Sequence, residues 1–172
     1  MMMKRSIKIK QHDVTDCGAA CLASVCAHYG LKVPVARIRQ YAYTDQKGTN
    51  ILGMVEAAQK LGFSAKGVRG VYDALSMIPI PAIAHVVIKE ILHHFVVLYK
   101  ISKKGVVYMD PADGEIHKAT RQEFEKMWTG ILVILEPNET FEKGNEKISM
   151  TMKFLQLLAP HKSMMTQALF GA

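Results

Sequence analysis

A change of hydrophobic period at Pro81 limits what this chain can fold into more than any other feature. Before it, apolar residues recur at helical spacing over residues 13–30, 34–41 and 51–61. After it they alternate, in AIAHVVI, HHFVVLYKI, VVYMD and EIHKA, with Lys, Gly and Asp turns between them. Helices first and an antiparallel sheet second is an α+β order, not the alternation of a doubly wound fold. The length of 172 residues suits a single domain that buries about 70% of its unfolded surface. Such a core needs no disulfide staples.

Local signals place the element ends. Thr15 or Asp16 can cap the first helix, and Gly30 fits its left-handed stop. Pro34 opens a second short helix with Val35 and Ile38 inward. Asn50 caps the third and Gly62 ends it. Residues 63–68 read as an edge strand and 72–78 as a helical turn. Thr120 and Glu123 form a capping box for a helix over 121–128, and GILVILE is the last strand. After Pro137, NETFEKGNEK reads as a polar linker. From Ile148 onward the chain is apolar with scattered Lys and no acidic residue. Composition leaves two readings of that tail open, a docked C-terminal helix or an elbow leading toward a membrane span.

The formal net charge is +7, from 22 basic and 15 acidic residues. It is spread out, with no Arg cluster and one Trp, Trp128, so nucleic acid is not an expected partner. No run of 18 apolar residues occurs, and the basic N-terminus lacks the apolar core of a secretory signal. The three cysteines, Cys17, Cys21 and Cys26, lie within ten residues on one helix, poorly placed to pair. That usage points to a reducing compartment.

Cys17 falls in the first turn of its helix, where unpaired N–H groups favour a thiolate and prime a nucleophile. The same position also suits a small buried hydrophobe. Cys21 and Cys26 lie one and two turns further along and read as core. Seven histidines could supply a base. His94 starts a buried strand and would be held rigidly, with Asp110 at the far end of the next strand. The two share a face only if the connection has an odd loop or a bulge around residues 103–105. Asp110 also suits a simpler role, bonding the turn before Pro111. Cys17, Cys21 and His28 share one helical face, but zinc ligands come in pairs from separate elements, and no second pair exists. No metal site is expected. The phosphate-binding pattern GxxxxGK[ST] is absent, so no ATP site is expected either.

QHDVTDCGAACLASV, with HFVVLYKI and VVYMDP downstream, resembles the papain-like peptidase domain at the N-terminus of bacteriocin-processing ABC transporters. The matching residues are Gln11, Asp16, Cys17, Gly18, His94, Asp110 and Pro111, and the resemblance covers residues 7–137. It implies a papain-like cysteine protease fold, a helical half packed on an antiparallel sheet. Residues 1–137 would be the peptidase domain. Residues 138–172 would be a linker and elbow leading to a transmembrane domain that the chain lacks. The implied activity is a cysteine endopeptidase that removes leader peptides after a Gly-Gly motif. Cys17 would be the nucleophile, His94 the base, Asp110 its orienting acid, and Gln11 with the Cys17 backbone N–H the oxyanion hole. Implied partners are a precursor peptide with an amphipathic leader helix and the membrane and ATP-binding domains of one transporter, with ATP bound only there and no cofactor in this chain. The helices between Val33 and Leu61 are the expected groove wall. The implied location is the cytoplasmic face of a bacterial membrane, the domain by itself being soluble. The alternative is an idle adaptor that binds leaders without cutting them.

Overall fold

A computed structural model describes residues 6–46 and 48–146. The tail from Ile148, where the elbow is expected, lies outside the described residues. A 3-10 turn (Val14–Asp16) runs into α1 (Cys17–Tyr29). Asp16 stands at the N-cap of α1, one of the two expected positions, but its side chain makes no cap bond there; Asp13 caps the preceding turn. Its side chain accepts from the Thr15 N–H, and Asp16 reaches back to the Asp13 N–H at 3.1 Å. The cap therefore belongs to the turn, and α1 starts without a side-chain cap of its own. Gly30 ends α1 at φ 100°.

Every residue of α1 from Cys17 to Cys26 is buried, which its small residues Ala19, Ala20 and Ala23 allow. The helix is the spine of the core. α2 (Val35–Tyr41) follows Pro34, with Ile38 buried against α1. α3 (Ile51–Lys60) starts at Asn50, whose Oδ1 accepts the Gly53 N–H at 2.7 Å.

The rest of the chain is an antiparallel sheet. β2 (Phe63–Arg69) is followed by a 3-10 segment, Tyr72–Met77. Then come β3 (Ala82–Ile88), β4 (Leu92–Ser102), β5 (Gly105–Asp110) and β6 (Glu115–Thr120). α4 (Arg121–Met127), started by the expected capping box, leads to β7 (Trp128–Pro137). The spatial order is β2-β7-β3-β4-β5-β6, which leaves β2 on an edge as expected. Trp128 opens β7 and is not the end of α4, a difference of one residue at a helix end. One cluster of core side chains joins α1 to Phe95, Val97 and Met109. A second, around Phe124, Val96 and Leu98, covers the other side of the sheet.

The β4–β5 hairpin differs from expectation in one respect that matters for chemistry. Its loop is only Lys103 and Lys104, because Ser102 pairs with Gly105. The irregularity lies at Tyr99, between Leu98 and Lys100. Lys100 pairs with Val107, while Leu98 pairs with Tyr108, so Tyr99 is an extra residue in β4. Past the bulge, Val97 pairs with Met109, which sets Asp110 opposite Val96 and on the face shared with His94. Without the bulge, Asp110 would lie opposite Val97 and face away from His94.

Residues 138–146 do not leave the domain as an extended linker. Asn138 N–H donates to the Gly62 carbonyl at 2.9 Å, and the Phe141 ring packs on Phe63 with centroids 4.8 Å apart. The two residues of β1 (Leu31–Lys32) pair in parallel with β8 (Gly144–Asn145). No helix among the described residues is long and apolar enough to cross a membrane.

Candidate active site

Cys17 is the first residue of α1, 6% exposed. Three contacts fix the start of that helix. Asp16 is buried, and Arg39 from α2 donates to its carboxylate. The Asp13–Asp16 capping box shapes the preceding turn. Gly18 lets the loop before α3 approach closely: a Cβ there would stand 2.9 Å from Thr49 Cβ and from Met54 Cε.

His94 is 3% exposed. Its Nε2 lies 2.7 Å from Asp110 Oδ1, and it is also hydrogen-bonded to Cys17. With Nε2 engaged by the carboxylate, Nδ1 is the ring nitrogen left for the sulfur. Burial alone would lower the His94 pKa. The hydrogen bonds to Asp110 and Cys17, and the charges on both, outweigh burial and raise it to about 9. Burial pushes the Asp110 carboxyl up, but the bonds from His94 and from the Ala112 N–H bring it below the ordinary carboxylate value. Asp110 Oδ1 accepts that Ala112 N–H at 2.8 Å. One oxygen thus both closes the turn at Pro111 and contacts the imidazole.

Gln11 comes to the same end of the sheet. Its backbone N–H donates to the Pro111 carbonyl at 2.9 Å, next to Asp110. Its side-chain Oε1 is buried with no hydrogen-bond partner among the described residues. Cys21 and Cys26 are fully buried. Burial pushes the Cys21 thiol well up and the Cys26 thiol to about 12, which makes both inert at neutral pH.

A cleft of about 400 Å³ opens at Cys17, lined by Thr49, Asn50 and Ile51 on one side and by His85, His93 and Phe95 on the other. The two histidines are a feature that sequence reasoning did not single out. The Thr129 hydroxyl donates to the His85 carbonyl at 3.1 Å, so it must accept from His85 Nδ1 at 2.8 Å. His85 Nε2 is then the acceptor facing His93 Nδ1 at 3.2 Å. Burial lowers the His85 pKa, and His93 and His94 add to the effect. This keeps the ring neutral beside a protonated His94. A signal was present: alternation puts His93 and Phe95 on one face. The pairing of His85 with Phe95 needed the register.

A cysteine at a helix start, beside a strand histidine that a carboxylate holds, is the arrangement of papain-like peptidases. The comparisons agree. The model of the Peptidase C39 family matches residues 5–140. The chain belongs to the peptidase C39 family. This C39 chain is 35% identical over 158 residues to the lactococcin-G-processing and transport ATP-binding protein of Lactococcus lactis, a match over 91% of the chain and 22% of that protein. It is 34% identical to the pediocin PA-1 transport/processing ATP-binding protein of Pediococcus acidilactici, over 88% of the chain and 21% of that protein. The chain thus spans about a fifth of the length of these curated relatives. Among solved structures, the peptidase domain of Streptococcus ComA, a bifunctional ABC transporter of a quorum-sensing pathway, aligns with a TM-score of 0.72 at 32% identity. It covers 78% of the chain and all of the ComA domain. A double glycine motif protease from an AMS/PCAT transporter, solved with its leader peptide, aligns with the same TM-score at 34% identity. It covers 79% of the chain and 94% of that structure. The C39 chain is therefore a cysteine peptidase domain of α+β, papain-like architecture.

Proposed function

We propose that this C39 domain removes the leader from a bacteriocin or peptide-signal precursor by cutting after a Gly-Gly motif, as part of a peptide-exporting ABC transporter. The observation that carries the reading is the continuous chain of contacts Cys17–His94–Asp110 at the mouth of a cleft. Relatives that process or transport bacteriocins, and a neighbour solved with a leader peptide, supply the substrate class.

The positive end of α1 and a protonated His94 both favour a negative sulfur at Cys17. The thiolate attacks the carbonyl carbon of the second glycine. The bond formed is C–S, and the carbonyl electrons move to oxygen. The Cys17 backbone N–H and the Gln11 side-chain amide would receive that oxyanion. His94 then gives its Nδ1 proton to the leaving amine as the C–N bond breaks. Water, deprotonated by the neutral His94, cleaves the thioester and restores the starting pair. Asp110 holds Nε2 throughout and fixes the ring. Glycines suit the approach because Thr49 and Asn50 crowd the cleft beside Cys17. The rest of the leader would lie as a helix on apolar surface near the start of α3, where Leu52 is exposed. A transporter membrane domain would hold this domain at the cytoplasmic face, where the precursor is made. ATP would bind in the transporter's own ATP-binding domain.

The test is mass spectrometry of a Gly-Gly precursor incubated with the domain. Cleavage after the second glycine, lost in Cys17→Ala with leader binding retained, is the expected result. Cleavage by pure Cys17→Ala, or binding without cleavage by the native chain, refutes it; the latter would make the domain an adaptor. A peptide holding only the glycines and their flanks should lose about 10²-fold in kcat/KM against the full precursor. Equal values would remove the groove.

A further inference from the structure

Tyr99 is the extra residue of the β4 bulge, and its side chain does something separate from its backbone. The hydroxyl accepts the Ile7 N–H at 3.1 Å and donates to the Ile7 carbonyl at 2.7 Å. Two hydrogen bonds to one peptide residue, 92 positions away in sequence, pin the N-terminal segment across the sheet. The ring packs into the α1 side of the core, 5.9 Å from the His28 ring centroid to centroid. Burial raises the phenol well above its ordinary value, so the hydroxyl keeps its proton at any working pH.

Four residues further along, the Gln11 N–H bonds the Pro111 carbonyl at 2.9 Å. The segment 7–11 is thus held at both ends. One end is tied to the bulge that sets the His94–Asp110 register, and the other to the residue after Asp110. Between them, among the described residues, Ile9 packs on the α1 side of the core and the exposed Lys8–Glu115 pair at 2.7 Å adds a polar tie. A surface pair of this kind holds little.

We propose that Tyr99 is a positioning residue for the peptidase reaction, which acts through Gln11 by tethering Ile7 to the same bulge that aligns His94 with Asp110. The proposal rests on the reading of Gln11 as an oxyanion donor. Tyr99 touches none of the reacting atoms. Its effect is on how tightly the Gln11 amide is held, and loss of placement by a fraction of an ångström to an ångström at a reacting centre is worth up to about 10²-fold in rate.

The experiment compares the native chain with Tyr99→Phe, Gln11→Ala and the double variant, on a precursor with a double-glycine leader. Tyr99→Phe keeps the ring and removes only the hydroxyl. It is expected to lower kcat about 10- to 100-fold with KM within about twofold, and to leave the alkaline limb of the pH profile in place. On the Gln11→Ala background it should cost less than about a further twofold. A purely structural role would instead give the full Tyr99→Phe loss again in the double variant, and that outcome overturns the proposal. So does a Tyr99→Phe enzyme with native kcat. Amide exchange at Ile7 and Gln11 gives a readout independent of cleavage. It should quicken in Tyr99→Phe, and unchanged exchange at both overturns the tether. Cleavage by Cys17→Ala would sink the peptidase reading by itself, while the exchange result would still decide the tether.

Discussion

Asp110 holds His94 by Nε2, at 2.7 Å, and the neighbouring nitrogen is left to face Cys17. In a serine triad the aspartate must supply the charge that stabilises an imidazolium formed during reaction. Here the sulfur can carry that charge from the start. Asp110→Asn is therefore expected to be milder than His94→Ala. An amide oxygen still accepts the Nε2 proton and keeps the tautomer, whereas His94→Ala removes the proton donor altogether. We expect kcat/KM to fall by about 10- to 100-fold for Asp110→Asn and by 10³-fold or more for His94→Ala. Equal losses would show that Asp110 contributes charge rather than orientation.

The raised His94 pKa sets the alkaline limb of activity. His94 gives up its proton near pH 9, so kcat/KM should fall as pH rises through about 9. The limb belongs to the coupled Cys17–His94 pair. Asp110→Asn removes one of the two partners that raise the value, so it should move the limb to lower pH. An alkaline limb unmoved in Asp110→Asn would contradict the geometry.

Stability should follow the same proton. His94 titrates near 9 in the fold and near 6.5 in an unfolded chain. Its contribution is complete below about pH 6.5 and is lost as pH rises through about 9. The Asp110 carboxyl is shifted the other way, below its ordinary 3.8. Its contribution is present above that value and fades as pH falls through the lowered one. Urea unfolding of the native chain and His94→Ala at pH 6 and pH 10 reads the first effect. The native advantage should shrink by up to about 3 kcal/mol at pH 10. An advantage independent of pH would show that His94 stabilises by packing alone.

Cys21→Ser and Cys26→Ser test whether the neighbouring thiols take part. Both sites are fully buried among apolar atoms, so a hydroxyl there should cost about 1–3 kcal/mol of stability. Activity per folded molecule should stay within about threefold. A large loss of turnover at an unchanged melting temperature would assign one of them a chemical role.

Gly18→Ala tests the close approach at the nucleophile. The new Cβ would stand 2.9 Å from Thr49 Cβ, on the cleft wall, and 2.9 Å from Met54 Cε, the end of a flexible chain. Met54 can yield more readily than Thr49. A loss of about 1–3 kcal/mol in thermal unfolding is expected, with kcat reduced as Thr49 is pushed toward the cleft. A variant as stable and active as the native chain would show that the loop before α3 moves freely.

Much of this protein was legible from residue order. The switch of period at Pro81 gave the helical half and the five strands after it, because burial of alternate residues is a local property of the sequence, and residues 63–68 read separately as the edge strand. Asn50, Gly30 and the Thr120–Glu123 box marked element ends through local hydrogen bonds and backbone freedom. The position of Cys17 at a helix start followed in the same way. The tertiary structure decided the rest. The bulge at Tyr99 sits where a side chain from β4 meets a segment 92 residues earlier, a contact that no local pattern encodes. It moved the parity shift away from the turn and so placed Asp110 on the face of His94. The His85–His93 pair needed the β3–β4 register, and the docking of residues 138–146 needed the Phe63 and Phe141 rings to meet. Local hydrogen bonding and side-chain periodicity act over a few residues and can be read directly. Register and the joining of catalytic groups depend on how distant segments settle against one another, and only the packed chain fixes them.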